Sequence, residues 1–203
     1  IRMYADCHAG EALHSMDATM VVRPARWAQE PPEAFVTGAI RNPEHGRAYA
    51  KAIPDEVFTP ELYAERAKQV VSDLGFTALK FDLDVPTPYQ QDTASGTLSR
   101  AEVRYMVSLA AAVVEAVGDQ VDVAFDCHWR YQVSDAQRLA HELEPLGLLW
   151  LEDPVPPENV QALRRVTEST ATPIATGENG YMRHGFREAF ECGAIDIAAP
   201  DPQ

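Results

Sequence analysis

Three apolar runs in this 203-residue sequence each end in an acid: Val121-Asp122-Val123-Ala124-Phe125-Asp126, Leu148-Leu149-Trp150-Leu151-Glu152-Asp153-Pro154 and Pro173-Ile174-Ala175-Thr176-Gly177-Glu178. Asp126, Glu152 and Glu178 follow one another at intervals of 26 residues. If each interval is one strand-helix unit of a parallel sheet, the three carboxylates end neighbouring strands at the same height and converge. Taken singly, each is an ordinary solvated strand-end carboxylate or a helix N-cap. Clustered, three anions repel, and a hard octahedral cation with oxygen ligands relieves that repulsion best, which points to magnesium. Zinc fits poorly: it prefers nitrogen or sulfur donors, and strand alternation turns the adjacent Cys127 away from Asp126. The chemistry such a site offers is stabilisation by the bound cation of negative charge that develops on a substrate as it reacts.

His128 stands two residues beyond Asp126, so an extended strand end would give both the same inward face. From there it would act as a general acid, a role worth roughly 10²–10⁴-fold. The other readings are a hydrogen-bonding neighbour of the metal site or a core histidine beside Trp129. Lys80 alternates with Leu79 and Phe81, so Ala78, Lys80 and Asp82 share a face, and an ammonium buried there requires an anionic partner. A substrate carboxylate or a metal-ligating acid would serve, and Lys80 and Asp82 are therefore substrate-binding candidates. Arg183, followed by His184, opens the segment after Glu178; it either contacts distal hydroxyls or a second carboxylate of a substrate, or is ordinary helix surface.

Four segments occur in order, each at a strand terminus: Phe76-Thr77-Ala78-Leu79-Lys80-Phe81-Asp82, Asp126-Cys127-His128, Trp150-Leu151-Glu152-Asp153-Pro154 and Thr176-Gly177-Glu178-Asn179. Together they resemble the barrel domain of the enolase superfamily, of the mandelate racemase and muconate lactonizing enzyme type, from about residue 59 onward. The resemblance is closest to the acid-sugar dehydratases that act on galactonate, gluconate or mannonate, in which an Asp-x-His motif ends the third barrel strand. It implies that Asp126, Glu152 and Glu178 ligate Mg2+ and that His128 protonates the departing beta-hydroxyl, leaving a 2-keto-3-deoxy acid. Many family members carry a Lys-x-Lys pair of bases where this chain has Lys80-Phe81-Asp82, which argues against lysine-based racemase or cycloisomerase chemistry. The resemblance then places the base on a seventh-strand histidine beyond residue 203, paired with an aspartate ending the sixth strand, a position that Asp201 matches; Asp201 as a turn residue is the plainer alternative. Two other readings stand beside the dehydratase: an acid-sugar racemase or epimerase of the same superfamily, and a non-catalytic barrel module whose acids bind metal for structure alone.

These residues need a repeating scaffold, and the sequence supplies one. Thr59-Pro60-Glu61 places a cap, a first-turn proline and an early acid ahead of a helix that stops at Gly75, and Thr77 to Leu83 reads as a strand. Ser99 caps a helix that runs to Gly118, with Val121 to Phe125 as the next strand. Helices from about Ser134 to Glu144 and from Glu158 to about Glu168 precede strands at Leu148 to Leu151 and Pro173 to Thr176. A last helix near Arg183 to Cys192 leads to the strand Ile195 to Ala198. With Arg2 to Ala5 as the opening strand, right-handed crossovers link six parallel strands. The expected fold class is α/β, a (β/α) TIM-type barrel; since eight strands close such a barrel, residues 1–203 read as a partial one, with a capping domain and the last strands outside the chain, and an open parallel sheet is the other reading of six strands. Residues 9–58 carry Pro24, Pro31, Pro32, Pro43 and Pro54 and fit the repeat badly. As an insertion after the first strand they are either a lid over the site or a surface excursion. Asp6-Cys7-His8 repeats the tripeptide at Asp126 and is read as coincidence, with His8 a pocket-lining residue at most.

A formal charge of -14 excludes a nucleic-acid backbone or an anionic membrane as the expected partner. A small anionic substrate then requires local positive charge, which a bound cation supplies. Cys7, Cys127 and Cys192 are odd in number, far apart and without a CxxC pair, so neither a disulfide framework nor a zinc knuckle is expected. Because no apolar run approaches the roughly 18 residues of a membrane span, the reading is a soluble cytoplasmic protein. Exposed sheet edges in a partial barrel call for cover, and a homo-oligomer is expected.

Overall fold

Local chemistry sets the boundaries of the two longest helices. Helix α1 (Pro60–Leu74) begins with the Thr59 hydroxyl accepting from the Leu62 N–H at 3.4 Å and ends at Gly75, whose left-handed φ of 70° turns its own N–H back to the Val71 carbonyl. Helix α2 (Arg100–Val117) opens on a capping box: Ser99 Oγ accepts from the Glu102 N–H at 3.1 Å, and Glu102 Oε2 accepts from the Ser99 N–H at 2.7 Å. The computed structural model describes residues 5–7, 58–89 and 96–200.

Strands β1 (Ala5–Cys7), β2 (Ala78–Asp82), β3 (Asp122–Asp126), β4 (Leu151–Glu152), β5 (Ile174–Thr176) and β6 (Ile197–Ala198) form one sheet. Helix α1 falls between β1 and β2, α2 between β2 and β3, α3 (Val133–Leu143) between β3 and β4, and α4 (Val160–Thr167) between β4 and β5. Two short helices, α5 (Met182–Gly185) and α6 (Arg187–Glu191), precede β6. Every neighbouring pair is parallel, and the spatial order is the sequence order. That unreversed winding belongs to a (β/α) barrel; a doubly wound sheet reverses its strand order at a switch point.

Alternation divides each strand between two environments. Leu79, Phe81, Val123, Phe125, Leu151 and Ile174 are buried in the apolar cluster that also holds Tyr63, Met106, Leu109, Leu139 and Leu163 from the helices. The Tyr63 and Phe81 rings stack at 5.3 Å, and the Phe81 and Phe125 rings tilt together at 6.3 Å. Truncating either phenylalanine would cost about 3–5 kcal/mol. The opposite face carries Ala78, Lys80, Ala124, Asp126 and Glu152, so the apolar half of the alternation fixes the direction of the polar half.

Three elements differ from the sequence expectation. The apolar run before Glu152 reads as a strand from Leu148. Its first part makes only isolated bonds, such as Leu149 N–H to the Val123 carbonyl at 2.8 Å, and regular pairing on both sides is confined to Leu151 and Glu152. The expected single helix from Arg183 to Cys192 is two, because Gly185 closes the first turn and Phe186 turns inward, buried over Gly177 and Gly180. Of the expected opening strand Arg2 to Ala5, residues 2–4 lie outside the described residues; Ala5 is paired as expected, and the strand runs on past it to Cys7, with Asp6 in register with Lys80. The expected insertion at 9–58 falls, up to residue 57, outside the described residues, as do His8 and Asp201. Among the described residues no helix is long and apolar enough to cross a membrane.

Candidate metal centre

Four strands contribute to one polar cluster at their C-terminal ends. Asp82, Asp126 and Glu152 are level in the β2-β3-β4 register, while Lys80 lies one step lower, paired with Ala124. The methyl side chain of Ala124 leaves room for the Lys80 stem to rise beside it. The ammonium donates to Asp126 Oδ2 at 2.8 Å and to Glu152 Oε1 at 3.2 Å. All three residues are buried, at 7%, 1% and 3% exposure. The anionic partner that a lysine on this face requires is thus a pair of the acids singled out as metal ligands. The second oxygen of Glu152, Oε2, accepts from the Trp150 indole N–H at 2.8 Å, which fixes the plane of the carboxylate.

Glu178 reaches the cluster by a turn. Strand β5 stops at Thr176, and Gly177 follows with φ 139°, where a Cβ would collide with the Phe186 ring. The equal spacing of the three acids therefore conceals a difference: Asp126 and Glu152 are strand residues on one level, whereas Glu178 folds back from beyond its strand. Among the described residues, Glu152, Asp153 and Glu178 form the group whose carboxylate oxygens lie within 4.8 Å of one another. Asp126 stands outside that group, its Oδ2 on Lys80 and its Oδ1 accepting from the His128 N–H at 3.0 Å.

Asp153 was not among the residues expected here. Alternation assigns it to the face opposite Glu152, but its φ of 45° breaks the extended conformation and keeps both acids in one site. The only sequence signal was the adjacent pair of acids ahead of Pro154. The Thr176 hydroxyl donates a short hydrogen bond to Asp153 Oδ1. Burial, opposed by that bond and reinforced by the charges of Asp126, Glu152 and Glu178, raises the Asp153 carboxyl to about 7. Burial and then Asp126 likewise raise Glu152 against the pull of Lys80, and Glu178 is raised by the same two causes against Lys80 and His128. An all-oxygen donor set that resists its own charge fits a hard divalent cation.

At the mouth of the cluster, His128 has φ 43° and Trp129 φ 57°, so the chain has left the extended path that would align His128 with Asp126. The imidazole instead leans toward β2: Nδ1 lies 2.9 Å from Asp84 Oδ1 and 3.8 Å from Asp126 Oδ1, and Nε2 lies 4.0 Å from Asp82 Oδ1. The ring is raised to about 9, chiefly by the hydrogen bond to Asp84, against the effect of burial and with help from the charges of Asp84, Asp126 and Asp82. Asp84 is a second acid that the sequence reading passed over; it follows β2 in the run Phe81-Asp82-Leu83-Asp84. Asp82 is half-buried, and its carbonyl accepts from the Tyr63 hydroxyl at 2.9 Å. Arg183 is exposed on α5 and makes no ion pair among the described residues. Cys127 is fully buried on the helix side of β3, with its thiol pushed up by burial, consistent with a core residue rather than a ligand.

Residues 62–203 match the family described as enolase C-terminal domain-like. Over 155 residues the sequence is 48% identical to D-xylonate dehydratase of Haloferax volcanii, covering 76% of this chain and 38% of that protein. It is 28% identical over 190 residues to D-gluconate dehydratase of Thermoproteus tenax, covering 94% and 36%. Among solved structures, a mandelate racemase/muconate lactonizing enzyme-like protein from Rubrobacter xylanophilus superimposes with a TM-score of 0.67 at 46% identity, over 70% of this chain and 36% of that one. The chain therefore spans between 36% and 38% of the length of these relatives.

Proposed function

The chain belongs to the enolase C-terminal domain-like family, and from that premise we propose that the protein is a magnesium-dependent acid-sugar dehydratase, a hydro-lyase that converts a sugar acid to its 2-keto-3-deoxy acid. D-xylonate and D-gluconate, for which two of its relatives are named, are the first substrates to try. The observation that carries the reading is an imidazole, His128, which its hydrogen bond to Asp84 raises to about 9, beside a buried carboxylate cluster suited to a cation. A bare metal store has no use for such an acid at its mouth.

In this reading Asp126, Glu152 and Glu178 hold the ion. When bound, it supplies the positive charge that lets the C–H bond alpha to the substrate carboxylate ionise. Asp153, which accepts from the Thr176 hydroxyl and has a carboxylate oxygen within 4.8 Å of those of Glu152 and Glu178, stands beside them to share the ion's charge. Lys80 and Asp82 face the same space and bind the substrate's carboxylate and hydroxyls, with Arg183 reserved for a distal group. Asp201 orients the base that takes the alpha proton. The electron pair of the broken C–H bond forms the C2=C3 bond as the C3–O bond breaks. The oxygen leaves with its electron pair, takes the proton from His128 and departs as water, and the remaining enol tautomerises to the keto acid. A cytoplasmic homo-oligomer acting on a small molecule completes the proposal.

The test is incubation of the full-length protein with D-xylonate, D-gluconate and other aldonic and aldaric acids in D2O with Mg2+. Keto-acid formation is expected, and His128→Ala should bind Mg2+ normally but lose elimination. Deuterium entering the alpha position without keto acid would turn the reading into a racemase or epimerase. Metal binding with neither reaction would leave a structural metal module.

A further inference from the structure

The backbone around His128 is fixed without help from its ring. The His128 N–H donates to Asp126 Oδ1 at 3.0 Å, and the Trp129 N–H donates to the Asp153 carbonyl at 2.6 Å. What remains free is rotation of the imidazole, and one contact settles it: Nδ1–H donates to Asp84 Oδ1 at 2.9 Å. Asp84 is itself held in place. The preceding residue, Leu83, is fully buried and its N–H donates to the Asp126 carbonyl at 2.7 Å, docking the segment after β2 onto β3. The Asp84 side chain is 19% exposed against 41% for His128, so the acid is the more enclosed of the two partners. With Nδ1 engaged, Nε2 is the nitrogen left for chemistry, and Asp82 at 4.0 Å is beyond hydrogen-bonding distance of it.

We propose that Asp84 is a positioning residue: it grips Nδ1 of His128 and thereby presents Nε2 as the atom that protonates the departing beta-hydroxyl. The inference rests on the reading of His128 as the general acid. It adds that the second-strand segment which, in this chain, offers Asp82 and Asp84 rather than a further lysine serves the elimination half of the reaction. In balance, the Nε2–H bond breaks, its proton joins the hydroxyl oxygen that leaves C3 with the C–O electron pair, and the neutral ring keeps its Nδ1–H on Asp84.

The experiment compares wild type, Asp84→Ala, Asp84→Asn and His128→Ala in two reactions of the full-length protein with Mg2+: alpha-deuterium exchange of D-xylonate, and keto-acid formation from D-xylonate and from its 3-deoxy-3-fluoro analogue. Fluoride leaves with the C–F electron pair and needs no proton. Asp84→Ala should lower kcat for water loss by about 10–100-fold with KM nearly unchanged. It should keep alpha exchange and recover near wild-type rates on the fluoro analogue. Asp84→Asn, whose amide oxygen still accepts from Nδ1–H, should lie between the two. Water loss by Asp84→Ala at the wild-type rate overturns the proposal. So does an equal loss of exchange, water elimination and fluoride elimination, which marks a merely structural residue. If instead His128→Ala eliminates water at the wild-type rate, it is the assignment of the acid that has failed.

Discussion

Replacing Lys80 by methionine keeps the length and apolar stem of the side chain and removes only the charge that Asp126 and Glu152 share. Their carboxylates, held at 2.8 and 3.2 Å from the ammonium and at 1% and 3% exposure, would stay buried without it, with the His128 ring, 3.8 Å from Asp126 Oδ1, as the basic group that remains beside them. Breaking a buried pair from one side costs about 3–5 kcal/mol. Because 1 kcal/mol moves the midpoint of a protein this size by about 2–4 °C, Tm should fall by about 6–20 °C. Protonation would relieve part of the loss. Glu152 is already raised by burial and by Asp126, and without Lys80 it rises further. An acid whose folded pKa exceeds its unfolded value stabilises at low pH and loses that contribution as pH rises through the folded pKa. The variant should therefore gain stability relative to wild type as pH falls from 8 toward 5. Mg2+ should also raise its Tm more than it raises the wild-type Tm, since the ion meets the same two acids without a competing ammonium. Calorimetry across pH with and without Mg2+ reads all three effects. A variant within about 2 °C of wild type, indifferent to both pH and metal, would refute the shared-charge argument.

Asp84→Asn should move the His128 titration seen by NMR in the metal-free protein from about 9 back toward 6.5, since the hydrogen bond to Asp84 is the largest cause of the rise. By the same linkage, the wild-type stabilisation from this group is complete below about 6.5 and lost as pH rises through about 9, and the variant should lack that slope. Gly177→Ala forces a Cβ into Phe186 at φ 139° and should cost about 1–3 kcal/mol. It should also weaken Mg2+ binding by calorimetry, because Glu178 hangs on that turn. Alkylation followed by peptide mapping should label half-buried Cys192 well before fully buried Cys127, whose thiol burial holds above its usual range.

How far the sequence could be read follows the range of the forces involved. Helices α1 and α2 are capped by residues three positions apart, and strands β2 and β3 alternate between core and site, so both features and the repeating βα winding were legible in local pattern. Family membership was legible for a related reason, as its motifs sit at those strand ends. The rest depended on backbone departures that periodicity does not encode. The left-handed turns at His128 and Asp153 swing one side chain off the metal face and another onto it, which hid the partnership with Asp84 and the proximity of Asp153 to Glu152 and Glu178. The break between α5 and α6 depends on Phe186 finding space over two glycines that precede it, a tertiary event with no local signature. Lys80 is an intermediate case: alternation gave its face and burial its need for an anion, while the identity of that anion required the register of three strands.

The most direct test of the whole account is a crystal structure of the full-length protein grown with Mn2+ in place of Mg2+, with the metal located by anomalous scattering. A single strong peak about 2.1 Å from oxygens of Asp126, Glu152 and Glu178, with Nε2 of His128 facing the adjoining space, is the predicted result. A peak elsewhere, or none at this cluster at saturating metal, would contradict it.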